Sequence, residues 1–459
     1  MLEIHSRHAY ANEVDIFMRD LESHYPFQKE FLQAVFGVVK WIWPVVRNNA
    51  DYQKRGILND LVEFDAVDIF KVKWYDSLGK LVINKGYRVK HNRALGTYKG
   101  GLRFHPSVNL GILKFLAFEQ TFKNSLTGQP MGGAKGGSDF DPKGKTDDEI
   151  IRFCQAFMAK LSTFIGPDLD VPAGDKGVDQ WTINKLFSAY TDIVGGQYFP
   201  GVITGKSLEL GGVELRPEAT GYGLIMFTDA MLKTVSESFR GKEVAVSGSG
   251  NVSQFAVELA NSYGAKVITM SDSKGFIYDK EGISKEKLEF VMRSKANDRN
   301  WRISNYVKRF DEAEYFEGEK PWKNIECDVA LPCATENEID EEDARALVKN
   351  GVLAVAEGSN MSSTEEAVDY FLNNDILFGP GKAANAGGVS VSHLEMEQNK
   401  MIGRWERQVV YEKLEKIMLN IHATCVKYGE ERDGIINYVK GANIGGFVRV
   451  ADAMVAKGL

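Results

Sequence analysis

Residues 130–145 read PMGGAKGGSDFDPKGK, in which four glycines, two on each side, bracket Lys135. Fixed glycines cost backbone entropy, and their usual use is a turn with positive φ or a close approach of backbone to ligand. The stretch therefore reads as a loop that presents one cation. Other candidates lie nearby. YKGGLRF places Lys99 before a Gly-Gly pair, FEQTFKNS places Gln120 and Lys123 three apart on one helix face, and DVPAGDKG places Asp175 in a turn after a proline. A single lysine is ordinarily a solvated surface charge, and Asp175 could be a turn residue alone. On pattern, Lys123 fits a surface role as well as a site role, whereas the glycine flanks set Lys135 apart. Several cations at separate points would suit a substrate with two carboxylates. A lysine that is desolvated or crowded by other cations has a lowered pKa and can act as a base, which suits chemistry at an amine or carbonyl carbon.

A second constellation is Gly248-Ser249-Gly250-Asn251-Val252-Ser253, which follows the strand-like EVAVS and opens a helical pattern. With a strand before it, a helix after it and Asp272 at the end of the next strand, this is a dinucleotide fingerprint whose third glycine is replaced by the small Ser253. The helix N-terminus offers free N–H groups to a pyrophosphate. Asp272 favours the ribose hydroxyls of NAD, whereas Ser273, Lys274 and Lys295 could hold a 2′-phosphate. On the residues alone the choice between NAD and NADP stays open.

The elements that must position these groups fall into two styles. Helical patterns cover roughly 12–24 and 28–48, with Pro44 ending or kinking the second; 68–92 reads as a hairpin; 109–126 and 147–165 are amphipathic helices. From 217 onward strand-like runs at 327–334, 352–359 and 376–383 alternate with helices, which implies a parallel sheet with right-handed crossovers. A long helix follows at about 404–425, and a loop and final helix close the chain. The fold class is α/β. Residues 1–205 form a first domain to which 427–459 return, and 206–426 form a Rossmann-like, doubly wound dinucleotide-binding domain.

The 459 residues are 44% hydrophobic and 26% charged, an ordinary globular balance. A net charge of −7 argues against a general nucleic-acid binder. No apolar run is long enough to span a membrane, and the first residues lack a signal-peptide core. Cys154, Cys327, Cys333 and Cys425 form no C-x-x-C pair and read as buried thiols of a reducing cytoplasm. His5 and His8 sit together near the start, where metal binding is not expected, and no other metal-ligand spacing occurs.

The motifs YKGGLRFHPSVN, LPMGGAKGGSDFDPKGK, DVPAGD, RPEATGYG, GSGNV, LPCATENE and KAANAGGVSVSHLEM together resemble the hexameric glutamate dehydrogenases of the shorter bacterial and fungal type, from about residue 50 to the end. The resemblance implies reversible oxidative deamination of L-glutamate to 2-oxoglutarate and ammonium by a homohexamer whose first domain binds substrate and makes the subunit contacts. It implies that Lys135 is the catalytic lysine and Asp175 its proton-transfer partner. Gln120 and Lys123 hold the α-carboxylate, and Lys99, followed by Gly100, holds the distal carboxylate with Ser392. Thr220 and Asn251 contact the nicotinamide amide, Asn360 and Asn385 lie near its ribose and the substrate, and Gly248, Gly250 and Val252 face the pyrophosphate. Close relatives that use NADP carry the SDS of Ser271-Asp272-Ser273 in this turn and a lysine matching Lys295, so the resemblance implies NADP, with NAD possible. Lys90, His91, Thr97 and His393 are departures; many relatives carry glycine where His393 stands.

Overall fold

The alternating stretch 68–92 does form a hairpin: β1 (Ala66–Tyr75) pairs antiparallel with β2 (Leu81–Asn92), with Tyr75 opposite Leu81. Three further strands extend it in one sheet, β3 (Tyr98–Phe104), β4 (Gly133–Ser138) and β5 (Asp170–Gly174), in the order β1-β2-β4-β3-β5. β4 runs antiparallel to β2 and parallel to β3, and β3 runs parallel to β5. The glycine-flanked Lys135 segment is thus an internal strand and not the loop its composition suggests. The reason is close approach. A Cβ on Gly100 would overlap the Ala134 carbonyl oxygen across the β3–β4 pair. With glycine at many of its positions, such a strand carries little period-two signal.

Helices cover both faces of this sheet. Val72 and Trp74 pack with Phe104, Phe140, Phe153 and Phe157, drawing on the helices Asp147–Leu161 and Gln180–Ile193. Tyr87 and Val89, of opposite parity to the β2 partners of that face, pack with Leu113, Leu116 and Ala117 of the helix Leu110–Leu126. Asn109 caps the latter by accepting from the Ile112 N–H, and Thr146 with Glu149 forms a capping box on the former. The helix Lys29–Arg47 runs on past Pro44, which lies within its last turn, where the lost N–H and ring clash are least disruptive.

The second style appears as expected. β6 (Glu243–Val246), β7 (Lys266–Val267), β11 (Val329–Leu331), β12 (Ala354–Ala356) and β13 (Leu377–Gly379) make a parallel sheet in the order β13-β12-β11-β6-β7. A small antiparallel sheet of β8 (Thr269–Asp272), β9 (Gly275–Tyr278) and β10 (Glu314–Glu317) stands beside the second strand's end. β6 leads through the glycine turn into the helix Asn251–Ser262, the βα unit of a Rossmann-type fold.

This computed structural model describes residues 10–298, 300–401, 403–431 and 434–458; His5 and His8 lie outside them. It divides into two compact units. Unit 1 is Met1–Glu214, Ser392–Arg407 and Asn443–Leu459; unit 2 is Leu215–Val391 and Gln408–Ala442. The first division lies beyond residue 205, and 392–407 group with unit 1, because buried contacts tie these segments together: Lys206 bonds Glu395, and Gln398 Nε2 donates to the Gly212 carbonyl. Among the described residues, no helix is long and apolar enough to cross a membrane.

Candidate active site

Lys135 projects from an internal strand of unit 1 and is 5% exposed. Its Nζ lies 3.1 Å from Asp175 Oδ2, and Arg103 Nε donates to the same oxygen at 2.9 Å. Burial pushes the Lys135 pKa down; the Asp175 charge opposes this, Arg103 and Arg88 reinforce it, and the net shift is downward. For Asp175, burial favours the neutral acid, but Lys135 and Arg103 outweigh it and hold the carboxyl below the usual range. A lysine that releases its proton more readily than usual, set against a carboxylate, is equipped for proton transfer.

Lys99 is 1% exposed and donates to Thr204 Oγ1 at 2.8 Å and to the Pro172 carbonyl at 3.5 Å. Lys99, Gly101 and Arg103 alternate on β3, so the two cations share one face. Between them, a Cβ on Gly101 would lie 2.9 Å from Asp175 Cβ. Gln120 and Lys123 are half-buried on the helix Leu110–Leu126. Gln120 Nε2 donates to Asn124 Oδ1 at 2.7 Å, and Asn124 Nδ2 donates to the carbonyls of Lys99 (3.1 Å) and Gly132 (2.6 Å), which ties this helix to β3 and to the residue before β4. Ser392 and His393 are buried at the start of the segment that returns to unit 1. His91, one of the sequence departures, is a core histidine: Nδ1 meets Thr121 Oγ1 at 2.7 Å and Nε2 meets the Leu61 carbonyl at 2.8 Å.

In unit 2, Gly248 has φ +79°, and a Cβ there would lie 2.5 Å from Ser253 Oγ, so the turn requires glycine. Ser253 is fully buried and donates to the Ser247 carbonyl, filling the third fingerprint position. Gly250 is the N-cap of the helix Asn251–Ser262; no side chain caps that end, and a Cβ on Gly250 would meet nothing within 4 Å. Uncapped N–H groups facing open space fit a pyrophosphate. Asn251 is exposed at this end and Val252 half-buried. Thr220 lies in the first turn of the helix Ala219–Thr234, pressed close to Gly388. Asn385 Nδ2 donates to Asn360 Oδ1 at 3.1 Å, and the buried Asn385 Oδ1 has no partner among the described residues.

At the end of β8, Asp272 accepts the Lys274 N–H at 2.8 Å on one oxygen and the Ile303 N–H at 2.9 Å on the other. Lys295 Nζ reaches Ser249 Oγ at 2.9 Å, and Arg302 Nη1 reaches Ser273 Oγ at 3.2 Å. The carboxylate thus shapes its own turn, and two cations with two hydroxyls gather beside it. That donor set fits the extra phosphate of NADP.

Residues 211–458 match the Glutamate/Leucine/Phenylalanine/Valine dehydrogenase profile, and residues 65–192 match that of the Glu/Leu/Phe/Val dehydrogenase dimerisation domain. The chain belongs to this dehydrogenase family. It is 52% identical over 439 residues to the NAD(P)-specific glutamate dehydrogenase of Xylanibacter ruminicola, covering 96% of this chain and 98% of the relative. It is 52% identical over 447 residues to the NADP-specific glutamate dehydrogenase of Haemophilus influenzae, covering 97% and 98%. The crystal structure of Plasmodium falciparum glutamate dehydrogenase superimposes with a TM-score of 0.94 at 44% identity, covering 100% of this chain and 98% of that one.

Three residues of this dehydrogenase's candidate sites are absent from the motif reading: Arg103, Thr204 and Arg302. Arg103 was accessible through the period-two spacing from Lys99. Thr204 and Arg302 lie outside regular strands and helices, and no local pattern marks them.

Proposed function

We propose that the protein interconverts L-glutamate with 2-oxoglutarate and ammonium using NADP(H). The observation that carries this reading is the buried Lys135–Asp175–Arg103 cluster with a second, separately buried cation, Lys99, on the same strand face as Arg103. In the aminating direction Lys135 polarises the keto oxygen and then handles the proton of a water. Asp175 passes protons to and from the attacking ammonia and the departing hydroxyl. Arg103 keeps Asp175 ionised and aimed at Lys135. Lys123 and Gln120 hold the α-carboxylate; Lys99, Gly100, Thr204 and Ser392 form the pocket for the distal one. In unit 2, Gly248, Gly250, Asn251 and Val252 hold the pyrophosphate, Thr220 and Asn251 the nicotinamide amide, and Asn360 and Asn385 the adjoining ribose. The nicotinamide, when bound, exchanges hydride with the amino-acid carbon.

Unit 1 is then the substrate-binding and oligomerisation domain and unit 2 the dinucleotide domain. A homohexamer accords with the exposed Val67, Ile69, Tyr75, Leu81 and Ile83 on the β1–β2 hairpin, within the part matching the dimerisation profile. A cytoplasmic setting accords with four buried free cysteines.

The direct test is oxidation of NADPH on adding 2-oxoglutarate and ammonium; no oxidation overturns the assignment. NADH is oxidised far more slowly. Replacing Arg302 by alanine lowers kcat/KM for NADPH roughly 10- to 100-fold, the value of a charge-assisted hydrogen bond, and leaves NADH unaffected. Equal loss with both cofactors would remove Arg302 from the phosphate site.

A leucine-, valine- or phenylalanine-type dehydrogenase is the second reading, since the family profile spans these substrates. Such an enzyme has no use for a buried lysine at the distal end of its pocket. Lys99→Leu accordingly weakens glutamate by about 100-fold or more relative to norvaline, which has the same chain length and no distal charge. A parallel fall for both substrates would show that Lys99 does not read the distal carboxylate.

A further inference from the structure

We propose that His393 is a second reader of the distal carboxylate and takes up a proton when a dicarboxylate binds; this rests on the reading of Lys99 above. His393 directly follows Ser392 and is 5% exposed. Nδ1 has no hydrogen-bond partner among the described residues. Nε2 lies 3.2 Å from Glu397 Oε1, one helical turn on, but without hydrogen-bond alignment. A buried ring with neither nitrogen bonded is costly and calls for a partner.

The charged groups around it are Glu397 and Lys400 on its own helix and Lys99 from β3; Lys400 in turn is paired with Asp168. In the free protein, burial and the two lysines keep the imidazole neutral, with a pKa lowered to about 4. A neutral imidazole has one N–H and cannot satisfy two acceptors. A carboxylate arriving at Lys99 changes both terms. It offsets the nearest positive charge and brings an acceptor to the ring. The imidazolium then donates from Nε2 to Glu397 and from Nδ1 to the ligand, both as charge-assisted bonds. The proton comes from solvent, so binding the second carboxylate and protonating His393 are one linked event.

The probes are glutarate, which has two carboxylates and no reacting group, and valerate, which has one. Their affinity ratio isolates the distal end, because changes at Lys135 or Asp175 affect both ligands alike. In the intact protein the glutarate-to-valerate ratio should rise about tenfold from pH 8 to pH 6, and calorimetry in buffers of different ionisation heat should show close to one proton taken up per glutarate. His393→Asn and His393→Gln retain a donor but do not titrate, so both should flatten the pH dependence. A pH-independent ratio in the wild type, or a slope that survives in both variants, overturns the proposal. Lys99→Leu should lower the glutarate preference at every pH. If it does so while the variants keep the slope, only the assignment of His393 falls; if it does not, the reading of Lys99 falls first.

Discussion

Replacing Lys135 by alanine lowers turnover by roughly 10²–10⁴-fold, the range of a lost general acid–base group, while the protein remains folded. The fold should tolerate the change because Asp175 keeps its bond to Arg103 Nε at 2.9 Å and is not left as a buried, uncompensated charge. The strand around Lys135 is held by backbone pairing to β2 and β3, which the substitution does not touch. Asp175→Ser is different. It abolishes turnover to a similar degree but also leaves Lys135 and Arg103 facing each other without their shared oxygen, so it lowers stability as well. Steady-state amination at saturating substrates, with urea unfolding at fixed protein concentration, separates the two cases. Turnover in Lys135→Ala within tenfold of wild type would refute the proton-transfer role.

How much of this was legible in the sequence depends on whether a residue's neighbours in space are also neighbours in the chain. The turn Gly248–Ser253 was readable because strand, turn and helix are consecutive, and the fold needs a positive φ at Gly248 whatever surrounds it. The hairpin and the amphipathic helices were readable by period. β3 and β4 were not, because most of their glycines answer to a carbonyl on a neighbouring strand: Gly100 belongs to β3, and the oxygen that forbids a Cβ there belongs to Ala134. A composition that signals loops elsewhere here signals strands packed too tightly for side chains. The cofactor turn shows the reverse problem. Asp272 was visible, and the usual rule makes it a ribose ligand, but its oxygens accept the N–H groups of Lys274 and Ile303, the second of which is 31 residues away. Arg302, next to that anchor, is therefore carried to Ser273 by a contact that no local motif encodes.

Thr204 poses the same difficulty, and its position rests on the pair behind the second prediction. Glu395→Leu should destabilise the protein by about 3–5 kcal/mol, the typical cost of removing one partner from a buried ion pair. Lys206 and Glu395 both have fully buried side chains, with Nζ 2.6 Å from Oε1. The pair is well satisfied: Lys206 Nζ also donates to the Ile203 carbonyl at 2.6 Å, and Glu395 Oε2 accepts the Gly205 N–H at 2.8 Å. The bonds to Glu395 fasten residues 203–206 to the helix that carries Ser392 and His393, and the Lys206–Ile203 bond closes that segment on itself. Without Glu395 the Lys206 ammonium keeps no ion-pair partner among the described residues, and the Gly205 N–H loses its acceptor. The segment should loosen, taking with it the Thr204 hydroxyl that Lys99 meets at 2.8 Å. The double replacement Lys206→Met with Glu395→Leu should recover most of the lost stability, because no isolated charge remains, but not all of it, because three backbone groups, the N–H of residues 205 and 206 and the Ile203 carbonyl, lose their side-chain partners. Discrimination between glutamate and norvaline should stay impaired in that double variant even as its urea midpoint returns. An unchanged midpoint in Glu395→Leu would mean the pair contributes nothing to stability. Full recovery of discrimination in the double variant would mean that hydrophobic packing alone can place Thr204.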